Sequence, residues 1–583
     1  MDCIRRLTPA FALSALLLTG AGGSEDARLD ELVDAQQTIW IDAHPELATR
    51  LGLKSGYDRW SPSGDAGDVS DKKLRTEQLV ALKTVDPSKL DAEHKRTYEI
   101  FQRTAKNTLD ELAFTGPRWA MSQQGGAYSE APALLISAHR IDSASDAEAY
   151  IARVRGIALL LDQDAAAMES RTPLPRFMFP TIAEQAGKLI DGAALKQDFA
   201  KKLADAKIAD APRLAAALDA AIAQQMTPAY EKFVARVNAF AAKATGDTGM
   251  RAVPNGPAYY ALRLRIMTTE DKADAHAIHL LGLKEVDRIH GEMRALMPAL
   301  GFQGTDLKAF FAQQRQNDGH DYENDDASRE RALNEARAIV ADVKAELPKL
   351  FHKLPKADIE VRRVEGFREQ GAATAFYQAP PLDGSRPGIF YYNLRDMHDL
   401  TRGQLPGFVY HEAIPGHHMQ IALTRENPEL TRFRKLAGGS AYAEGWALYS
   451  EKLMRELGFY KDAPAKFGQL NNELLRAMRL VLDTGVHAEG WSREKALQWF
   501  VDVSPYTAGR AQAEVDRYYA SPGQAVSYKM GEIAILEMRE KAKTALGAKF
   551  DLARFHDEVL RHGNVPLAML RDIVDQWIAA GGV

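Results

Sequence analysis

Long segments with apolar residues at helical spacing are the feature that most constrains the fold of this chain. Residues 211–244, 271–300 and 323–351 are rich in alanine, leucine and charged residues, and their apolar positions recur every three to four residues. Alanine and leucine favour helices strongly, so these segments predict long amphipathic helices, the first interrupted at Pro228. Since 583 residues exceed what one core usually serves, we predict a large, mainly α-helical fold with two lobes.

One region departs from the helical pattern. Residues 357–367 alternate and contain β-branched side chains, and residues 373–394 hold two aromatic runs around a turn rich in Pro, Gly, Asp and Ser. This pattern predicts a small β-sheet. We place a boundary near residue 355, between a helical N-terminal part (24–355) and a C-terminal part (356–583) that holds the chemistry, and expect the two parts to share one core.

The N-terminus predicts export to the periplasm or the medium. Arg5 and Arg6 precede an apolar run at 7–18 and then small residues, the order of a secretory signal peptide over residues 1–23. A hydrophobic first helix of the fold is the alternative. The run is short for a membrane span and no other stretch approaches ~20 apolar residues, so we expect no membrane segment in the mature chain. The single cysteine, Cys3, precedes the run, whereas a bacterial lipoprotein needs a cysteine directly after it.

Composition excludes several classes of function. The formal net charge is −5 and no long basic run occurs, which argues against nucleic-acid binding. Without a cysteine beyond residue 3, thiolate nucleophiles and thiolate metal ligands are excluded from the mature chain. The expected partners are therefore small molecules and peptides, and any metal site must use His, Asp or Glu. The sequence does not indicate an oligomeric state.

A histidine cluster in YHEAIPGHHMQ begins like a zinc-protease helix. The H-E-x-x-H motif places two histidines one turn apart, with a glutamate between them that faces the metal-activated water. Here His411 and Glu412 are followed by Pro415 in the second histidine's place, and His417 and His418 come two and three residues late. On a regular helix His418 would lie ~10 Å further along the axis and His417 would face away, so neither would share a metal with His411.

A widened helical turn would resolve this geometry. If residues 414–416 bulge outward, with the glycine supplying backbone freedom, the two extra residues are absorbed. His417 then takes the role of the second histidine ligand beside His411. His418 is the alternative ligand, and Glu412 is the expected general base.

A third metal ligand is expected downstream. Glu444 lies 27 residues after His417 in a predicted helix at 438–457, and Glu451 follows on the same face. For a single glutamate a solvated charge is the ordinary interpretation, but here aromatic and aliphatic residues surround both, which favours paired or metal-bound carboxylates. We therefore predict one Zn²⁺ held by His411, His417 and Glu444, with Glu451 supporting a ligand or replacing one.

Two further groups are candidates for the chemistry. Arg479, Asp483 and His487 recur every four residues on one helix. They form either a surface charge ladder or the lining of a cleft, with Asp483 orienting His487 towards the substrate or its oxyanion. Tyr528 follows a Pro-Gly turn at a helix start and is able to donate to an oxyanion, although the segment alone would be an ordinary turn.

Taken together, these segments resemble a known family. The motifs are FYYN (390–393), HEAIPGHHMQ (411–420), AEGWALYSE (443–451), RLVLDTGVHAEGWSREKA (479–496) and DRYYASPGQAVSYKMGE (516–532). In this order they resemble the serial motifs of the domain-of-unknown-function 885 (DUF885) family, grouped with gluzincin-type zinc metallopeptidases. The resemblance covers about residues 27–580.

The resemblance implies a helical fold similar in plan to angiotensin-converting enzyme and thimet oligopeptidase, with a cleft between two lobes. By the same comparison His411 and His417 match the histidine ligands, Glu412 the general base and Glu444 the third ligand. Tyr528 is then the candidate oxyanion donor. The longer spacing between the two histidines departs from those relatives.

The predicted sheet also suggests a substrate surface. Residues 373–378 or 389–393 are expected to offer an edge to which an extended peptide adds as a strand. Tyr392 and Asn393, together with Arg479, are therefore substrate-binding candidates.

The expected function is that of an exported zinc-dependent peptidase that hydrolyses peptides or oligopeptides. Two alternatives stay open. One is another metal-assisted ester or amide hydrolase built on the same site. The other is a catalytically inactive periplasmic protein that binds a peptide or a metal.

Overall fold

The computed structural model describes most of the chain after the expected signal peptide. The described residues are 24–244, 246–316, 321–364, 369, 373–382, 384, 386–397 and 400–583. The expected signal peptide, residues 1–23, lies outside them. Within the described ranges, no helix combines the length and the apolar character needed to cross a membrane.

Helices form most of the described chain, which confirms the mainly α-helical prediction. Many begin at residues whose side chains cap the first turn; Asp91, for example, accepts a hydrogen bond from the backbone of His94. The helices before the sheet are α1 (Glu25–Ala43), α2 (Pro45–Arg50), α3 (Gly64–Leu82), α4 (Ala92–Leu112), α5 (Ala127–Ser137), α6 (Ala144–Ser170), α7 (Met178–Gly187), α8 (Ala193–Asp205), α9 (Ala211–Ala221), α10 (Thr227–Lys243), α11 (Gly256–Thr268), α12 (Ala275–Leu296), α13 (Leu307–Gln316) and α14 (Asp326–Leu350).

The segment 211–244, predicted as a helix interrupted at Pro228, is not interrupted there. A π-helical turn at Ile222–Met226 joins α9 to α10, so the chain stays helical past Pro228. Proline has no N–H to donate to the carbonyl four residues earlier, so a regular helix would lose a hydrogen bond there. The wider turn lies just before the proline and has a different hydrogen-bond spacing.

The predicted β-region forms one three-stranded sheet. Its strands are β1 (Ile359–Arg363), β2 (Ala375–Gln378) and β3 (Gly388–Tyr392), in the order β1-β3-β2. Phe390 of β3 pairs with Val361 in parallel and with Tyr377 in antiparallel register. Because β3 is paired on both sides and every one of its residues is buried, the expectation that residues 389–393 offer a free edge is wrong. β2 is an edge strand.

The helices after the sheet carry the predicted site. They are α15 (Leu405–Glu412), α16 (His417–Glu426), α17 (Arg432–Leu436), α18 (Ser440–Glu456), α19 (Ala463–His487), α20 (Arg493–Asp502), α21 (Ala508–Ala520), α22 (Ser527–Leu546), α23 (Leu552–Leu560) and α24 (Leu567–Ala579).

Two large clusters of buried apolar residues hold the fold together. The first packs α5 to α10 and parts of α12 and α13 against α19, α20 and α21. The second packs α1, α4, α14 and the sheet against α15, α18 and α22 to α24. Each cluster takes residues from both sides of residue 355, as expected if the two parts share their packing. The predicted site lies where α15 and α18 of the second cluster meet α19 of the first.

Candidate metal centre

The histidine segment contains a helix break rather than a bulge. α15 ends at Glu412 and α16 begins at His417, with a cis peptide bond before Pro415 in the turn between them. Proline lacks an N–H, and its ring would clash with the carbonyl of residue 411 if the helix continued. The prediction of one continuous helix with a widened turn is therefore wrong, although the turn does absorb the two extra residues.

A side chain does not fit at Gly416. A Cβ at this position would lie 2.0 Å from the carbonyl oxygen of His411 and 2.4 Å from that of Tyr410. The indole N–H of Trp446 donates to the Pro415 carbonyl at 2.8 Å and so ties the turn to α18.

The turn brings His411 and His417 to the same carboxylate. The Nε2 atoms of the two imidazoles each lie 3.4 Å from Oε2 of Glu444, and the three ligand atoms all lie within 4.8 Å of one another. The imidazole rings stand at 88° to each other. A tetrahedral zinc ion with bonds of about 2.05 Å separates its ligand atoms by about 3.3 Å. The three side chains therefore fit zinc, while their role as ligands remains a prediction.

The charges at this cluster attract one another strongly. Burial lowers the pKa of His411, but its hydrogen bonds with Glu444 and Glu451 outweigh this and raise it to about 9. Burial raises the pKa of Glu444, yet the two histidines beside it hold that pKa well below its ordinary value. A bound cation would take the place of the imidazole proton, because metal ligands must be deprotonated.

Glu451 supports His411 from behind. Its carboxylate is fully buried and lies 2.8 Å from Nδ1 of His411, on the opposite side of the ring from Glu444. The side-chain amide of Asn472 donates to the other oxygen of Glu451 at 3.4 Å. A carboxylate at Nδ1 sets the tautomer and leaves Nε2 free to bind a metal. Glu451 thus occupies the place of a ligand's partner, not of a ligand.

His418 points away from the cluster. Its Nδ1 lies 2.9 Å from the hydroxyl of Tyr377 on β2, and its Nε2 lies 3.1 Å from the carbonyl of Ala357. Burial lowers its pKa to about 4, so the ring is neutral at physiological pH. The structure therefore places His417, and not His418, beside His411. His418 connects α16 to the sheet.

Glu412 is nearly buried next to the histidines. Burial raises the pKa of its carboxyl, while the positive charges of His411 and His417 oppose the shift. A carboxylate with a raised pKa beside a metal cluster is suited to accept a proton. The predicted role of general base is compatible with this environment.

Tyr528 lies at the start of α22, the helix that packs against α18. α22 crosses α18 so tightly at Gly531 that a Cβ there would lie 1.8 Å from the carbonyl oxygen of Ala441. On the facing helix Gly445 takes part in the same approach, and it directly follows Glu444. Since Tyr528 precedes Gly531 by about one turn, it lies near the part of α18 that carries the carboxylate.

The other polar residues of α19 do not line a cleft as expected. Asp483 is fully buried and accepts a hydrogen bond from the hydroxyl of Tyr260 at 2.6 Å. His487 is also buried; its Nδ1 accepts from the backbone N–H of Met250 at 3.1 Å, and its Nε2 lies 3.0 Å from the carbonyl of Tyr518. Asp483 therefore does not orient His487, and both ring nitrogens are engaged by backbone groups. The alternative of a surface charge ladder is wrong, because Asp483 and His487 are buried between helices. These contacts do not favour the catalytic role of His487, which stays a prediction.

Tyr392 and Asn393 occupy different environments. The ring of Tyr392 is fully buried and packs near Phe390 and Phe408, which does not favour its predicted contact with a substrate. The side-chain amide of Asn393 donates to the carbonyl of Glu369 at 2.7 Å. Its substrate role stays a prediction.

Two residues near the centre were missed by the sequence analysis. Asn472 contacts Glu451, and the positive charge of Arg476 is one of the charges that oppose the rise in the pKa of Glu412 caused by burial. Both continue the stripe of Arg479 towards the start of α19 at spacings of three and four residues. Extending that stripe by two turns would have found them.

Comparisons with known proteins identify the family and the fold of the chain. A family model described as "Bacterial protein of unknown function (DUF885)" matches residues 45–574, and the chain belongs to this family. A "putative lipoprotein" from Colwellia psychrerythraea is 29% identical, with a TM-score of 0.88 over 96% of this chain and 100% of that one. A "putative lipoprotein of unknown function" from Shewanella oneidensis is 20% identical, with a TM-score of 0.70 over 94% of this chain and 100% of that one, and shows the fold alone. No curated protein matches the chain. A gluzincin relationship stays a prediction.

Proposed function

We propose that this DUF885 protein is a zinc-dependent hydrolase that cleaves peptide bonds. One observation carries the proposal: the Nε2 atoms of His411 and His417 each lie 3.4 Å from Oε2 of Glu444. Glu412 directly follows His411 in the chain. When bound, zinc would lower the pKa of water and polarise a carbonyl group. Glutamate and histidine donors in this number are those of catalytic zinc sites with one open position.

The protein's own groups would divide the remaining work. Glu412 would accept the proton of the attacking water and pass it to the leaving nitrogen. Glu451 would hold the tautomer and the direction of His411 through the 2.8 Å contact at Nδ1. Tyr528, at the α18–α22 crossing, would donate its hydroxyl proton to the oxygen that becomes negative during attack.

The edge strand favours an extended peptide as substrate over a small ester. β2 lies at the edge of the sheet, and its Tyr377 contacts His418, the residue after the proposed ligand His417. A peptide that adds to this edge as a strand would therefore pass close to the metal centre. Residues 373–378, and not 389–393, would offer that edge.

We also propose that the protein is exported. The charged, apolar and small-residue order of residues 1–23 supports export, and so does the description of the Colwellia protein as a lipoprotein. The only cysteine here is Cys3, ahead of the apolar run, so lipid attachment through a cysteine after that run is not part of the proposal.

Metal analysis and a peptide-library digestion test the proposal. We expect about one zinc per chain and cleavage products detectable by mass spectrometry. Glu412→Gln should retain zinc and lose cleavage, because the substitution removes the base but no ligand. Glu429→Gln, on an exposed loop, is the matched control and should keep both.

Two other results would contradict the proposal in different ways. Wild-type protein that holds zinc and cleaves no peptide would point to a binding protein. Wild-type protein that takes up no zinc at all would remove the metal centre itself.

A further inference from the structure

We propose that a cluster of arginines beside the metal centre binds a carboxylate group of the substrate. The arginine cluster consists of Arg476 and Arg479 on α19 and Arg510 and Arg517 on α21. This inference rests on the proposed function, because it names the substrate class of the same site. It concerns a part of the site that the metal chemistry does not use.

Only one carboxylate contacts the arginine cluster among the described residues, and it is saturated. Glu514 accepts hydrogen bonds from Nε and Nη2 of Arg479, both at 3.1 Å, and from Arg510 at 3.1 Å. The hydroxyl of Tyr518 donates to it at 2.9 Å. A carboxylate offers about four lone-pair sites, so Glu514 has no capacity left for further donors.

Several guanidinium N–H groups are left over. Within the described chain, Nε of Arg476, Nη1 of Arg479 and Nε of Arg510 are buried without a hydrogen-bond partner. Arg476 and Arg479 are only 9% and 4% exposed. Buried charged donors without partners are costly, so such a group of donors is typical of a site that an anion completes.

The arginine cluster reaches the proposed catalytic groups from two sides. Arg476 donates to the backbone carbonyl of Asn472 at 3.2 Å, and the side chain of Asn472 in turn contacts Glu451. On this side, an anion bound at Arg476 would lie near the contact of Asn472 with Glu451, the residue that supports His411.

On its second side, the arginine cluster contacts Tyr528, the proposed oxyanion donor. Arg517 donates to the hydroxyl of Tyr528 at 3.2 Å, and the guanidinium of Arg479 lies 4.6 Å from the centre of the same ring. The arginine cluster therefore extends between the neighbourhoods of Glu451 and Tyr528. A substrate whose scissile bond lies at the metal would bring its nearby groups to these arginines.

The chemistry of the donors indicates which group they bind. The guanidinium fork matches a carboxylate with two parallel hydrogen bonds. In a peptide that group is either the C-terminal carboxylate or the side chain of Asp or Glu. The first source predicts cleavage near the C-terminus, and the second predicts cleavage beside an acidic residue.

Three peptides of one sequence distinguish these sources. One has a free C-terminal acid, the second has a C-terminal amide, and the third has the amide together with a single glutamate at varied positions. Rates are measured as kcat/KM for wild type, Arg476→Lys and Arg476→Ala. Arg294→Ala, on the exposed end of α12, is the matched control.

We expect wild type to prefer a carboxylate-bearing peptide over the plain amide by about tenfold to hundredfold, the range for hydrogen bonds to a charged group. Preference for the free acid identifies the C-terminus, and preference for the glutamate peptide identifies the side chain. Arg476→Ala should remove most of that preference, Arg476→Lys part of it, and Arg294→Ala none. The comparison of peptides on wild type needs no variant, so poor folding of Arg476→Ala does not spoil the test.

Equal rates for all three peptides, or a preference that survives in both Arg476 variants, would overturn the inference. If wild type cleaves none of them, equilibrium binding of the same peptides is measured by calorimetry with and without added zinc. Tighter binding of a carboxylate peptide that weakens in Arg476→Ala then supports the carboxylate site while the hydrolase proposal fails. Equal binding of acid and amide overturns the carboxylate site as well.

Discussion

The contact between Glu451 and His411 allows a quantitative test of the metal centre. Glu451→Gln keeps the size of the side chain and an oxygen that accepts a hydrogen bond from His411. It removes the negative charge that lies 2.8 Å from Nδ1, together with the weak 3.4 Å hydrogen bond that the other oxygen accepts from Asn472. The substitution thus changes the electrostatic support of one proposed ligand without touching Nε2 or either of the other two.

The expected loss follows from the burial of the pair. Glu451 has no exposed surface, so solvent does not screen its charge. A hydrogen bond to a charged group contributes about 1.5–3 kcal/mol, against about 1 kcal/mol for a neutral one. Removal of such a partner commonly lowers metal affinity about 10- to 100-fold. We expect the zinc dissociation constant of Glu451→Gln to rise by about tenfold or more, which is about 1.4 kcal/mol.

Competition with a chelating dye measures this change. Glu456→Gln, on the same helix and paired with Arg539 near the surface, is the control and should bind zinc as wild type does. In the metal-free protein the same substitution at Glu451 should move the pKa of His411 down from about 9, since it removes one of the three carboxylates that raise it, the others being Glu444 and Glu412. Unchanged zinc affinity in Glu451→Gln would refute the argument that His411 binds metal through Nε2 with support at Nδ1.

Three further predictions follow from single contacts. His417→Ala should abolish zinc uptake and His418→Ala should leave it intact in metal analysis, since only the first imidazole faces the cluster; the reverse result would exchange the two ligands. Gly531→Ala should lower stability by about 2 kcal/mol or more in thermal melts, because its Cβ would lie 1.8 Å from a facing carbonyl. Gly291→Ala, with open space around it, should change stability by less than about 1 kcal/mol. Burial raises the pKa of Asp483 to about 7, so the folded chain keeps a proton that the unfolded chain loses above about pH 4. The stability of wild type should therefore fall relative to Asp483→Asn as pH rises from 4 to 7; a constant difference in melting temperature would show a charged Asp483.

The spacing of residues located the main groups of the site but not the shape of the backbone between them. His417 and Glu444 were favoured from their spacing to His411, with His418 and Glu451 as the alternatives. The helix break at Pro415 and the crowding at Gly416 were not found, since both depend on carbonyl groups of the preceding turn. In the same way, helical periodicity predicted α9 and α10 but not the π turn that carries the chain past Pro228.

The polar stripe of α19 was interpreted wrongly for a related reason. A sequence shows that Asp483 and His487 share a helix face, but not what lies opposite. Here a tyrosine hydroxyl and backbone groups of other segments lie opposite, and burial turns both side chains into structural partners. Arg476 was missed because the polar spacing of α19 was not followed back from Arg479 towards the start of the helix.

The sequence by itself determined the helical class of the fold, the family and the residue types able to hold a metal, because these depend on local periodicity and on the order of motifs. Tertiary structure alone decided which atoms meet. It turned Nε2 of His411 and His417 towards one oxygen of Glu444, directed His418 to the sheet and brought Arg479 and Arg510 to the carboxylate of Glu514. The physical reason is that a side chain's partners come from packing between helices that are far apart in the chain, and neither spacing nor composition records that packing.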